Sequence, residues 1–200
     1  IVLNGYLILN LWVCFYVLYK GFKGEDPKRL LYIPIVFIAI AWAPSIHTIT
    51  AFLFQGLGGR PFWNSGLIAP RFLVSAFAAG PAFMVLVFKY LKTIGVINFD
   101  EKVIDRIRVI ITVSLLINIF LAGSELFAEF YSESAHTIHI SHLFGMHGAS
   151  LLAPWIWGAL LLNVVALLIL LSPLRRNPYF LIPACIMIVA GIWTEKGLGF

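Results

Sequence analysis

Apolar residues run through this chain in long blocks, and polar residues gather in the short gaps between them. The blocks fall at residues 1–19, 30–57, 67–94, 103–131, 151–172 and 179–200. Each matches the ~20 residues that a helix rising ~1.5 Å per residue needs to cross the hydrocarbon core of a bilayer. The pattern predicts an all-α fold, a polytopic bundle of six transmembrane helices making one integral membrane domain over residues 1–200. Pro44, Gly80-Pro81 and Pro183 fall inside the blocks, as membrane helices tolerate better than soluble ones.

Composition agrees with the pattern. With 61% hydrophobic and 12% charged residues and a mean hydropathy of +0.96, the chain lies outside the range of soluble domains. It opens at Ile1 within an apolar block and stops at Phe200 soon after a polar insertion, which reads as an incomplete polypeptide. The first block lacks a basic leader and a small-residue cleavage site, so it is not a signal peptide.

The net charge of +5 does not imply a nucleic-acid partner, because the cations sit in loops. Lys20, Lys23, Lys28 and Arg29 follow the first block. Lys89, Lys92, Lys102, Arg106 and Arg108 surround the third connection, and Arg175-Arg176 occupy the fifth. The second connection holds only Arg60, and the fourth has neither Lys nor Arg. Basic loops stay cytoplasmic, which predicts both chain ends on the outer side of a prokaryotic inner membrane. Cys14 and Cys185 lie apart in apolar blocks. Without Cys-x-x-Cys-His or a cysteine cluster, the chain is expected to carry no covalent haem or iron–sulfur centre of its own.

On this topology the ionisable residues inside the blocks fall in the outer part of the bilayer. His47 lies about 10–15 Å below the outer end of the second helix, and Arg71 roughly one or two turns below the same surface. Glu125 and Glu129 close the fourth helix, and Glu195 and Lys196 the sixth. An ionised side chain at that depth costs at least a few kcal/mol, so it must pair, face water or meet a polar ligand. Ser114, Asn118, Glu125, Glu129 and Glu133 are spaced by four, seven, four and four residues. They form a polar stripe along one helical face, the pattern of a proton relay. The fourth connection adds His136, His139, His142 and His147, which titrate near neutral pH and so suit proton exchange with bulk water.

Each feature also has a plainer reading. Arg71 with Glu125 or Glu129 is also what a structural ion pair looks like, and His47 also fits a core histidine bonded to a backbone carbonyl. The loop histidines also suit a solvated connection, and their spacing lacks the carboxylate or cysteine framework of a metal site. The small residues of SAFAAGPA, 75–82, suit close helix packing.

RPFWNSGLIAPRFLVSAFAAGPAF at 60–83 resembles the signature of the NrfD/PsrC-like membrane subunits of respiratory oxidoreductases, the polysulfide reductase type. GSELFAEFYSESAH at 123–136, HLFGMHG at 142–148, APWIWG at 153–158 and GIWTEKGLGF at 191–200 resemble further blocks of that family. Within it the chain is most similar to the membrane subunit of the Dsr and Hmc transmembrane redox complexes of sulfur-metabolising microbes. The resemblance implies a haem-free, flavin-free helix bundle that exchanges electrons and protons with a membrane quinone, menaquinone or another. It implies an extracytoplasmic ferredoxin-like iron–sulfur subunit as partner, and admits a multihaem cytochrome c and other membrane subunits. His47, Arg71, His142 and His147 are then expected to line the quinone pocket or its mouth, with Glu125 and Glu129 as proton carriers. Three other classes stay in view: a redox-coupled proton translocator, a cytochrome b-like subunit with His47 and His142 or His147 as haem ligands, and a passive anchor.

Overall fold

The computed structural model describes residues 1–56, 65–131, 141–146 and 150–198, apart from the side chains of Glu129 and Leu198. Among these the chain is helical throughout its apolar blocks: α1 (Val2–Phe22), α2 (Arg29–Gln55), α3 (Ile68–Thr93), α4 (Glu101–Tyr131), α5 (Ala153–Leu171) and α6 (Pro178–Leu198). A 3-10 turn, Pro173–Arg176, joins α5 to α6. Six helices are long and apolar enough to span a membrane, as the hydropathy pattern predicts. In lipid a helix satisfies its own backbone polar groups, which is why these sequences resolve into helices despite Pro34 and Pro44 in α2, Pro81 in α3 and Pro183 in α6.

The chain falls into two compact units, Ile1–Gly56 and Leu57–Phe200. In the first, α1 packs on α2, and the backbone of Gly5 carries the indole of Trp42. A Cβ added at Gly5 would stand 3.0 Å from the Trp42 ring. The Lys28 amide donates to the Tyr16 hydroxyl at 3.1 Å and secures the connection between the two helices.

The second unit holds α3 to α6 around one core. The contacts of Arg71 with Glu125 and Glu195 place the start of α3 with the finishes of α4 and α6. The short turn Pro173–Arg176 makes α5 antiparallel to α6, bringing the start of α5 to the same end. The buried seam of α3 is Ile68, Arg71, Ser75, Ala78, Ala82 and Val85, stepping three and four residues at a time. That of α4 includes Ile104, Ile111, Leu115, Asn118, Ala122 and Glu125. Ala78, Ala82, Ala166 and Ala184 supply small side chains at the centre. Since lipid gives helices no hydrophobic reason to associate, close backbone approach through such residues is what holds the bundle. The small-residue segment of α3 therefore packs, as its sequence predicts. At the opposite end, Lys89 and Lys92 both pair with Glu101 at 2.8 Å across the α3–α4 connection. These pairs are exposed and contribute roughly 0–1 kcal/mol each.

Candidate functional site

Each of the four seams carries a polar residue. Arg71 lies in the first turn of α3, on the face that continues through Ser75 and Ala78. Its guanidinium donates from Nη1 to Glu125 of α4, and from Nη2 to Glu195 Oε1 of α6 at 2.7 Å. The second oxygen of Glu195 accepts from Asn163 Nδ2 of α5 at 3.4 Å. Lys196 Nζ lies 3.3 Å from Glu195 Oε1 and 5.5 Å from the centre of the Phe72 ring. Arg71, Glu125 and Glu195 are all buried.

Two cations and two carboxylates sum to zero, and that balance makes the cluster tolerable. Burying a lone ion costs several kcal/mol, which only good pairing and hydrogen bonding offset. Glu195 has three partners, Arg71, Lys196 and Asn163. The described hydrogen bonds of Glu125 go to Arg71.

Several buried polar atoms have no hydrogen-bond partner among the described residues: Arg71 Nε, Asn163 Oδ1, and both amide atoms of Asn118. Buried polar groups are nearly always satisfied, so such atoms call for water or a ligand. Asn118 is 1% exposed and lies seven residues from Glu125, about 10 Å down the same face of α4. Arg71 Nε and Asn118 Nδ2 are donors, and a quinone ring offers two carbonyl oxygens as acceptors, so the donor set fits that ring chemistry.

The sequence model of the family described as "Polysulphide reductase, NrfD" matches residues 6–197. The chain belongs to the NrfD family. A relative from Halobacterium salinarum, named as the membrane subunit of a dimethyl sulfoxide reductase, is 27% identical over 195 residues, covering 94% of this chain. The chain spans 42% of that relative's length. It is thus a multi-pass membrane chain, similar to a protein named as the membrane part of a reductase.

Within this NrfD-family chain, two of the expected site residues meet. Arg71 and Glu125 are in direct contact. His47 belongs to the first unit, where it is partly buried on α2; its neighbours Thr48 and Thr50 donate to the carbonyls of Pro44 and Ile46 at 2.9 and 2.8 Å. His142 is exposed on a turn that closes at Gly145, where φ is 75°. The Glu129 side chain and residues Glu133, His136, His139 and His147 lie outside the described residues.

Three contributors escaped the sequence reading of the site. Glu195 and Lys196 stand out only as charges near the end of α6, and Asn163 attracts no attention there. A signal for Asn163 exists: it is the one strongly polar side chain in APWIWGALLLNVVALLILL, the sequence of α5. Its place also depends on Gly191 of α6. A Cβ at Gly191 would meet Asn163 Oδ1 at 2.6 Å, and the Ala159 carbonyl oxygen at 3.1 Å. Gly191→Ala is therefore expected to push α5 and α6 apart and destabilise the unit by about 1–3 kcal/mol, the usual effect of overpacking. A thermal melt of the purified protein followed by circular dichroism checks this; an unchanged midpoint would contradict it.

Proposed function

We propose that this chain is the quinone-interacting subunit of a multi-subunit membrane redox complex, and that the cluster around Arg71 and Glu125 handles the quinone's protons. The observation carrying this reading is a buried, charge-balanced network beside unpartnered hydrogen-bond donors, in an NrfD-family chain. Structural pairing alone gives no reason for the unpartnered amide of Asn118 or for Arg71 Nε.

The division of labour follows from the partners among the described residues. Glu195, held by three groups, serves as the permanent anion that keeps the Arg71 guanidinium in place. Glu125, held by Arg71, is the carboxylate that takes and gives protons. In the oxidising direction a quinol releases two electrons and two protons; the protons pass by way of Glu125, and the electrons leave to an extracytoplasmic ferredoxin-like iron–sulfur subunit. In the reducing direction the same groups supply protons to the ring oxygens. Arg71 Nε and Asn118 Nδ2 are the donors proposed to hold those oxygens.

The basic connections support an orientation with this cluster toward the outer face of the inner membrane and both chain ends outside. Menaquinone, sulfur metabolism and a respiratory role are part of the proposal through the likeness to the Dsr and Hmc membrane subunits. Full proton translocation finds less support. Inward of Asn118 the described seam of α4 continues through Leu115, Ile111 and Ile104, which favours a half-path from one side.

Photolabelling with an azido-quinone tests the site. In the intact complex, label is expected on peptides from the start of α3 and the last turns of α4, and excess unlabelled quinone should compete it away. Labelling confined to other helices would refute the assignment.

A further inference from the structure

The opposite end of the four-helix unit holds a second polar feature that the proton chemistry does not use. A cavity of about 280 Å³ opens between α4 and the turn joining α5 to α6. Three arginines rim it, Arg108, Arg175 and Arg176, with Asp105 as the one carboxylate. Their charges sum to +2. Arg108 is fixed by its pair with Asp105 and by donating to the Arg175 carbonyl oxygen. Arg175 Nη1 donates to the Leu170 carbonyl oxygen at 3.4 Å. The guanidiniums of Arg108 and Arg175 are thus held at the opening.

Below the rim the lining changes character. Val109 and Val113, one turn apart on α4, are 60% and 51% exposed and face away from the bundle core. The Thr112 hydroxyl between them is already committed to the Arg108 carbonyl oxygen at 2.7 Å. A cationic rim over an aliphatic wall, on a helix that spans the bilayer, matches a molecule with an anionic head and apolar tails. The cavity suits a phosphodiester head in size and is too small for acyl chains, which have the exposed valines to lie against.

We propose that this cavity binds the headgroup of an anionic phospholipid, with its tails along Val109 and Val113. Guanidiniums grip phosphate through paired N–H donors, and basic pockets between membrane helices suit acidic lipid heads. A soluble phosphate would use the rim but gain nothing from the valines. This inference does not depend on the quinone reading.

Native mass spectrometry of the intact protein, with its copurifying subunits, released from nanodiscs of defined lipid tests it. Phosphatidylglycerol and phosphatidylcholine share the phosphodiester and differ in net charge. Phosphatidylglycerol is expected to be retained roughly 25-fold more, since each of the site's two net positive charges is worth roughly fivefold in affinity. Arg175→Gln with Arg176→Gln should lower its occupancy roughly 25-fold on the same scale. Both side chains are exposed, so the melting midpoint should stay put. Val113→Trp, which leaves the charges intact, should also release the lipid by covering the aliphatic wall. Excess inorganic phosphate should not displace it. Equal retention of the two lipids, full occupancy in the double variant, or displacement by phosphate would each overturn the proposal. Should the double variant not fold, the lipid comparison on the unmodified protein and Val113→Trp still decide.

Discussion

Changing Glu125 to glutamine is expected to cut quinol-dependent electron transfer by about 10²- to 10⁴-fold, the usual range for losing a positioned proton carrier. Glutamine keeps the shape of the side chain and still offers Arg71 an oxygen acceptor. It cannot take up a proton at physiological pH, so the proposed step has no acceptor on α4. The fold should survive, because Arg71 retains Glu195 at 2.7 Å. The ion pair becomes a hydrogen bond from a charged guanidinium to a neutral amide oxygen and the cluster is left with one uncompensated positive charge, so a loss of up to about 3–5 kcal/mol is expected. Glu125→Asp, which restores the ionisable group one methylene shorter, should recover part of the rate. Steady-state quinol oxidation in proteoliposomes, with the melting midpoint measured in parallel, decides the matter. Turnover at the unmodified level in Glu125→Gln would remove Glu125 from the proton path.

Replacing Arg71 by alanine should act first on stability. Two buried carboxylates, Glu125 and Glu195, lose their shared cation, and breaking a buried ion pair from one side costs about 3–5 kcal/mol. Lys196, 3.3 Å from Glu195, still compensates that carboxylate; Glu125 is left the more exposed to the loss. Adding Glu125→Gln to Arg71→Ala should therefore regain part of the stability, giving a coupling of about 1–3 kcal/mol in a double-mutant cycle. Thermal or denaturant unfolding of the two single variants and the double variant measures it. Strict additivity would mean that the contact between Arg71 and Glu125 carries no energy. Because fold and turnover fall together in Arg71→Ala, this variant cannot separate a passive anchor from a working site, whereas Glu125→Gln can.

The helical spans were legible for a local reason. Crossing a bilayer demands a run of apolar residues, and a run is visible in one dimension. The packing face of α3 was legible too, since small residues at 75, 78 and 82 mark where a neighbour comes close. Arg71 belongs to that same progression, four residues earlier, so its inward placement could be read with it. Its contact with Glu125 was one of two options, and the choice needed the rotation of α4. Of the stripe along α4, the Glu129 side chain and Glu133 lie outside the described residues, while Asn118 and Glu125 share one buried seam with Leu115 and Ala122. A membrane bundle can bury them that way because its outside is lipid, and its interior is the better place for a charge that finds a partner.

By itself, then, the sequence determined how many times the described chain can cross the bilayer and which family it belongs to. It also showed that α3 and α4 carry charges at a depth where charges need partners. Only the tertiary structure decided the partners. Glu195 stands 124 residues from Arg71 along the chain, and Asn163 stands 32 from Glu195; no periodicity within one helix links them. Pairing at that range is set by how helices turn and how closely they approach, down to the missing side chain of Gly191 that leaves room for an amide.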